Sequence, residues 1–204
     1  MTLKARVQTQ TGSFSRSAGT DPLAATKLAR LNYFNGRLLS SSDLTREQDY
    51  HLHARWRHNR LLHGQGIVTG LQVSVGDAAG GSTVTIQPGF AIDPLGREVV
   101  LGEPVSGNLP ATGAVLILVR YVEQAIGSLP TPAGHGDPAD SAMPDLIEEG
   151  AEVLLEAEGA STEQSGEGTA GSEGGAGNAV PLARLYHSRG KWRLDHHFRV
   201  PRSS

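Results

Sequence analysis

The sequence predicts an α+β fold that is mostly β: an antiparallel β-sandwich or barrel-like domain, preceded by one long N-terminal helix and a flexible N-terminal arm. Three observations predict it. One charged stretch with helix-capping signals lies near the N-terminus, short apolar segments of period two follow it between glycines and prolines, and the first 24 or so residues are polar without periodicity. At 204 residues the chain has room for one domain with a core but not for two full-sized ones.

The same patterns predict where each region begins and ends. We expect a flexible or partner-ordered arm at residues 1–31, because its Ser, Thr, Gly and Gln residues cannot build a core. A turn and the long helix should occupy residues 32–66. The β-domain should occupy residues 67–204, with a loop excursion at 127–147 and a disordered insertion at 159–178.

The helix has recognisable start and stop signals. Asn35-Gly36 predicts a turn before it, and Ser42 is the predicted N-cap, with Asp43 and Glu47 near the positive end of the helix dipole. Gly64 should end the helix, since glycine readily adopts the left-handed conformation. These limits enclose about 21 residues, or roughly 30 Å of helix.

The helix is too polar for an ordinary core-facing helix. Leu44, Leu52, Trp56 and the Leu61-Leu62 pair are separated by glutamine, histidine, arginine and asparagine. Such a helix is either packed against another subunit or a strut that faces solvent, and both interpretations stay open. The predicted partner-binding residues lie along it: Arg46, Tyr50, His51, Arg55, His58, Asn59, Arg60 and His63.

After Gly66 the apolar period changes from helical to two. Residues 67–75 predict a strand kinked at Gly70, residues 77–82 a hairpin connection, and residues 84–86 and 99–101 short strands. Pro88-Gly89 and Pro94-Leu95-Gly96 predict turns on either side of residues 90–92. Residues 114–122, AVLILVRYV, form an unbroken apolar run and predict a central strand buried on both faces.

The rest of the β-domain is less regular. Residues 129–144 hold four prolines and predict an excursion from the sheet, while Glu148, Glu149, Glu152, Glu156 and Glu158 predict a charged face that protects a sheet edge. Residues 159–178 are rich in Gly, Ser and Glu. Residues 179–186 and 191–200 predict a closing hairpin through Ser188-Arg189-Gly190.

The residues favour no catalytic or cofactor chemistry. The chain has no cysteine, which excludes thiol nucleophiles and thiolate metal sites, and it lacks the nucleophile-elbow and phosphate-loop motifs. The helical histidines His51, His53, His58 and His63 are two, five and five residues apart, whereas a zinc site on a helix needs a spacing of four and a third ligand. Asp93 and Glu98 could form a carboxylate pair, but acids beside Pro-Leu-Gly more often fix turns. We therefore predict no enzyme, no cofactor and no metal.

Charge and hydropathy argue against nucleic acid as a partner and against a membrane-spanning segment. The net charge of −3 gives no basic excess for a nucleic-acid backbone, although Arg46, Arg55, Arg57 and Arg60 share the helix. No signal peptide begins the sequence and no run approaches the roughly 18 apolar residues of a membrane span. We expect no nucleic-acid partner and no membrane span, and the lack of cysteine fits the reducing conditions of the cytoplasm.

Three blocks of sequence carry a family resemblance. The first block lies between residues 33 and 71 and comprises YFNGRLL (33–39), DL (43–44), EQDY (47–50), HNR (58–60), LHG (62–64), GIV (66–68) and GL (70–71). The second is PGFAID (88–93) with GRE (96–98), and the last is VPLAR (180–184). Together they resemble a family of bacterial proteins associated with phage-tail-like contractile injection systems. Residues 34–50 also resemble the N-terminal region of the type VI secretion baseplate subunit that carries a shoulder domain.

The resemblance implies a non-enzymatic structural subunit, a baseplate or tail-fibre-attachment component that contacts other baseplate, spike or fibre proteins. Repeated copies in a cyclic assembly would make it a homo-oligomer. Two alternatives stay open. One is a carbohydrate- or receptor-binding β-module at a fibre tip, which needs exposed aromatic side chains around a groove; the other is a metal-dependent hydrolase that uses the helical histidines.

Overall fold

The fold is α+β and mostly β, with antiparallel sheets and one long helix, as the sequence predicts. The computed structural model describes residues 28–78, 81–130, 142–158 and 176–203. The predictions for residues 1–27 of the arm, 131–141 of the excursion and 159–175 of the insertion lie outside the described residues. No helix in the described ranges is long and apolar enough to cross a membrane.

Helix α1 spans Ser41–His58 and continues into one π-helical turn, Asn59–His63. Ser40 is the N-cap, so the prediction of Ser42 is wrong by two residues. The reason is a capping box: the Asp43 backbone N–H donates to the Ser40 hydroxyl, and the Ser40 backbone N–H donates to the Asp43 carboxylate. Gly64 ends the helical segment at φ +71°, as predicted.

Twelve strands lie in the described ranges, and two of them are longer than ten residues. Their bounds are β1 Gly66–Gly70, β2 Val73–Ala78, β3 Gly81–Ile86, β4 Gly89–Ile92, β5 Glu98–Leu101, β6 Val105–Asn108, β7 Ala114–Ile126, β8 Leu129–Pro130, β9 Ala142–Met143, β10 Leu146–Ala157, β11 Val180–Ser188 and β12 Lys191–Leu194. A 3₁₀ turn, Ala176–Asn178, precedes β11.

The strands form three larger antiparallel sheets and one two-stranded ladder. Their orders are β1-β4-β5, β2-β3-β6, β10-β7-β11-β12 and β8-β9. The predicted strand at 67–75 is therefore two strands in different sheets. The break follows Gly70, because Leu71 is buried with φ +57° and donates its N–H to Pro88 O instead of continuing the ladder.

Strand β7 is central, as predicted. It lies between β10 and β11, and its alternate residues Val115, Ile117, Val119 and Tyr121 join the main core. Residues of the opposite face, Leu116 and Leu118, pack in a second cluster with Leu154 and Ala179. Burial on both faces explains why this segment is apolar without alternation.

The turns and the acidic strand also match expectation. β2 and β3 pair as the hairpin predicted at 77–82, and β11 and β12 pair through Arg189 and Gly190. The glutamate-rich β10 is the edge strand of its sheet. The strand begins at Leu146, inside the excursion predicted to end at 147, and the pair β8-β9 extends the β7-β10 hairpin beyond it.

Candidate interaction surface

Helix α1 lies on the protein with one end fixed and none of its 18 residues buried. Along the row Thr45, Asp49, Leu52, Trp56 and Asn59, exposure falls toward the C-terminal end, where Asn59 is buried. The helix is therefore anchored at its C-terminal end, through the residues that lead into the π turn.

The anchor is the turn between β4 and β5. The side-chain amide of Asn59 donates to Gly96 O and to Glu98 Oε1, each at 3.1 Å. Arg55 Nε lies 3.5 Å from the same Glu98 oxygen. Glu98 therefore holds two residues of the helical segment, which compensates its partly buried charge.

A buried carboxylate shapes that turn. Asp93 is fully buried and accepts from the backbone N–H of Leu95 at 2.9 Å, from the backbone N–H of Arg97 at 2.8 Å and from Arg97 Nε at 2.6 Å. The Arg97 guanidinium carbon lies 4.9 Å from the centre of the Tyr121 ring. Asp93 thus makes the hydrogen bonds that a buried carboxylate needs, and it fixes the turn that receives the helix.

Aromatic contact completes the junction. Trp56 packs edge-to-face on Tyr121, with ring centroids 6.5 Å apart. Burial raises the pKa of Tyr121, and its hydrogen bond to Glu123 at 2.9 Å adds to the shift because the bond favours the protonated phenol. Tyr121 is thus a neutral, partly apolar support for the helix.

Glycine is required at the closest point of this junction. A Cβ on Gly96 would lie 2.0 Å from Trp56 O, and Gly96 has φ +86°. A side chain at this position would both clash with the helix backbone and strain the turn. Gly96 therefore lets the turn approach the helix backbone this closely.

Five large apolar side chains are exposed just before the helix and in its first turn. They are Tyr33, Phe34, Leu38, Leu39 and Leu44, and their exposed fractions run from 44% for Leu39 to 92% for Leu38. We call residues 33–39 the hook. Groups of exposed apolar side chains are typical of interaction sites on protein surfaces.

Local hydrogen bonds hold the hook in one shape. Arg37 donates its backbone N–H to Phe34 O at 3.1 Å, and Gly36 has φ +88°, as a type II turn requires. The Arg37 guanidinium donates to Asn32 O at 2.8 Å and to Asp43 Oδ1 at 2.9 Å. Hydrogen bonds from Ser40, first from its backbone N–H and then from its hydroxyl, lower the pKa of Asp43, and the bond from Arg37 adds to this.

The eight predicted partner-binding residues do not share one environment. Arg46, His51, Arg55, His58 and His63 are exposed, and Tyr50 and Arg60 are partly buried. Asn59 is buried and bonded within its own domain, so its side chain is not on the surface for a partner. The Asn59 amide instead anchors the helix, because Gly96 O and Glu98 Oε1 face it as acceptors.

The helical histidines contact side chains of their own helical segment. His51 lies 3.2 Å from Glu47, His53 packs edge-to-face on Trp56, and His58 does so on His63 at 5.5 Å between ring centroids. Across the described ranges, no three His, Asp or Glu residues are grouped as metal ligands. Asp93 and Glu98 bond different groups within the anchor: Asp93 accepts from Arg97, and Glu98 accepts from Asn59.

One cavity lies where the C-terminal segment meets β1. Its volume is about 280 Å³, and the residues that line it are Gln65, Gly66, Pro94, Gly177, Ala179, Val180, Pro181 and Pro201. None of them is aromatic, whereas carbohydrate sites usually present aromatic faces. This cavity does not have the lining that the alternative of a sugar-binding module requires.

The hook was not identified from the sequence as a site. In the sequence, residues 33–39 carry only a turn signal and part of a family resemblance. The signal that could have found it is compositional: two aromatic residues and two leucines surround Asn35-Gly36, outside any periodic element.

Comparison with known proteins finds structures only. No protein-family model and no curated protein matches the chain. A chain of the type VI secretion TssK-TssF-TssG baseplate subcomplex is similar with a TM-score of 0.49 and 15% identity, covering 85% of this chain and 62% of that one. A chain of the type VI secretion baseplate complex gives 0.46 and 16%, covering 86% and 60%, and the crystal structure of TssK gives 0.45 and 14%, covering 83% and 41%. The chain thus spans less than two thirds of each of these chains, and likenesses this distant assign it no role.

Proposed function

We propose that this chain is a non-enzymatic structural subunit of a phage-tail-like contractile injection particle, which docks neighbouring baseplate or fibre subunits through the hook and helix α1. The observation that carries the proposal is the rigid, exposed apolar hook beside a helix with no buried residue. A domain that uses its helix only for its own core would bury one face of it.

The hook has the properties of a binding element. Each large apolar side chain that passes from water into an interface contributes about 1.5–3 kcal/mol. Because the Arg37 hydrogen bonds and the capping box already fix the backbone, little conformational entropy is lost on docking. Arg37 and Asp43 neutralise one another, so the neighbouring surface that takes the hook should be apolar and uncharged.

The helix adds polar contacts of the kind that set register. Arg46, His51 and His58 are exposed on α1 and stay proposed as partner contacts, together with Arg55, which also holds Glu98. Charged and polar groups at the rim of an interface favour correct partners more than they add affinity. In a particle with repeated subunits, such modest contacts act at high effective concentration.

The sequence resemblance to proteins of contractile injection systems supports the same role. It supports a subunit that contacts other baseplate, spike or fibre subunits and is cytoplasmic during assembly. Its first block, between residues 33 and 71, includes the hook, helix α1 and the π turn. The resemblance and the exposed surface therefore concern the same part of the molecule.

The test is a hook variant in the producing bacterium. Leu38→Asp should leave the isolated protein folded, because Leu38 is 92% exposed, and should remove the protein from purified particles. Leu129→Asp is the matched control, since Leu129 is also an exposed leucine but lies in β8. Immunoblots of purified particles that show equal amounts of wild type and Leu38→Asp would contradict the proposal.

A further inference from the structure

One row of helix residues is exposed along its whole length. It consists of Leu44, Gln48, His51, Arg55, His58 and Leu62, and every member is exposed. The steps between them are four, three, four, three and four residues, which average about 3.6 and so keep the row on one face of a helix. We call it the seam; its last member lies in the π turn.

The seam differs from the row that anchors the helix. Leu52, Trp56 and Asn59 face the β-domain, whereas the seam residues lie beside them and carry the larger exposed surface. The spacing is that of the contact positions in two-stranded helix pairs. An exposed row of this spacing is suited to receive one further helix.

The seam is complementary to itself when one copy is reversed. Its spacing is the same in both directions, and its two ends are leucines, which are 54% and 66% exposed. In an antiparallel pair, Leu44 faces Leu62 of the partner subunit, Gln48 faces His58 of the partner subunit, and His51 faces Arg55 of the partner subunit. A neutral imidazole can accept a hydrogen bond from an amide or a guanidinium, so each polar layer can be satisfied.

We infer that the seam is the dimer contact of this protein, in which α1 of a second copy packs antiparallel against it. The inference rests on the proposed function in one respect, because it assigns one part of the proposed docking surface to a second copy and leaves the hook for a different subunit. The contact is isologous: each copy presents the same row to the other.

Antiparallel packing is favoured over parallel packing for two reasons. A parallel pair would place Arg55 directly opposite Arg55 of the partner subunit, and like charges at facing positions are destabilising. It would also place both β-domains at the same end, because each is anchored at the C-terminal end of its own helix. The antiparallel pair places the domains at opposite ends.

The charge of the seam favours a second copy over nucleic acid. Arg55 already has Glu98 as an ion-pair partner in its own domain, so the seam is not a row of uncompensated cations. The leucines at both ends of the seam are apolar and would gain nothing from contact with a charged phosphate backbone. Added oligonucleotide should therefore leave the mass of the protein in solution unchanged.

Cysteine cross-linking tests the pairing directly, because the natural chain has no cysteine. Leu44→Cys and Leu62→Cys variants, mixed in equal amounts and mildly oxidised, should give a disulfide-linked dimer that neither variant gives alone. Leu146→Cys in place of Leu62→Cys is the control, since Leu146 is similarly exposed but lies in β10. Cross-linking of Leu44→Cys with itself, or none in the mixture, would overturn the inference.

Sedimentation of the full chain gives the affinity. The mass should rise from monomer to dimer between about 1 and 300 μM, a range suited to modest contacts. Leu44→Asp should raise the dimer dissociation constant at least about tenfold, the effect of removing one buried leucine from each copy, and Leu38→Asp should leave it unchanged. A monomeric mass throughout this range would overturn the inference of a dimer. The proposed function would then still be supported if Leu38→Asp were missing from purified particles.

Discussion

The side-chain amide of Asn59 donates a hydrogen bond to the carbonyl oxygen of Gly96 at 3.1 Å, across 37 residues of sequence. This contact joins the π turn to the loop between β4 and β5, where Glu98 accepts a second bond from the same amide. The helix is thereby fixed at one end while the seam and the hook stay exposed. Because the helix is held rigidly, its exposed surface can bind a partner without losing conformational entropy on ordering.

Gly96→Ala should loosen the helix from the domain. The added Cβ would lie 2.0 Å from Trp56 O, and φ +86° is unfavourable for alanine, so we expect a loss of roughly 2 kcal/mol or more in the free energy of unfolding. Urea unfolding followed by circular dichroism measures it. Gly102→Ala is the control, because open space surrounds that glycine; equal stability of the two variants would count against the close approach.

Asn59→Ala should leave Gly96 O and Glu98 with one fewer donor each. Buried groups left without a partner cost about 1–3 kcal/mol. Trp56 reports the docking by fluorescence in a Trp192→Phe background, since the chain has two tryptophans. Iodide should quench Trp56 fluorescence more strongly in Asn59→Ala than in the parent protein. Asn108→Ala should show no increase, because Asn108 is exposed at the end of β6. Unchanged quenching in Asn59→Ala would show that the amide does not hold the helix.

The capping carboxylate should make helix stability depend on pH. The pKa of Asp43 is lowered in the folded protein from its ordinary value of 3.8, chiefly by the hydrogen bond from the Ser40 backbone. A lowered folded pKa contributes stability that is fully present above 3.8 and is lost as pH falls through the folded pKa.

Asp43→Asn should therefore be less stable than wild type at pH 7, and the difference should shrink as pH falls below 4. Thermal unfolding at a series of pH values checks this. Asp77→Asn, in the β2–β3 hairpin, controls for the change in net charge. If the stability difference between Asp43→Asn and wild type stays constant down to pH 2, the Asp43 carboxylate does not stabilise the helix cap.

A substitution in the last hairpin should stabilise the protein. Arg189 and Gly190 both have positive φ, +53° and +75°, as in a type I′ turn. Asparagine tolerates this conformation better than arginine, so Arg189→Asn should raise the free energy of unfolding by about 0.5–1 kcal/mol. Arg193→Asn, in the neighbouring strand β12, should give no gain; a gain there, or none at Arg189, would contradict the turn assignment.

The sequence predicted most of the fold because its signals are local. The helix, its end at Gly64, the central strand β7 and the hairpin at Arg189-Gly190 follow from periodicity and turn residues. The N-cap was missed because Ser40, Ser41 and Ser42 are alternatives in sequence, and only Asp43 three residues after Ser40 selects among them. The break at Leu71 was missed because a buried leucine with positive φ has no sequence signal.

The surface was less predictable because it depends on contacts between distant segments. The sequence predicts Asn59 as a contact for another subunit, yet its side chain bonds Gly96 and Glu98, which no periodicity connects to it. Asp93 was weighed as a catalytic acid, but burial with three donors makes it part of the same anchor. The role of the exposed helix residues stays a prediction.

Hydroxyl-radical footprinting of the free protein and of purified particles tests the central claim most directly. If another subunit binds the hook, the side chains of Tyr33, Phe34, Leu38 and Leu39 should be oxidised readily in the free protein and several-fold less in the particle. Exposed residues of the β-domain such as Val100 should change little. Equal oxidation of the hook in both states would contradict the claim.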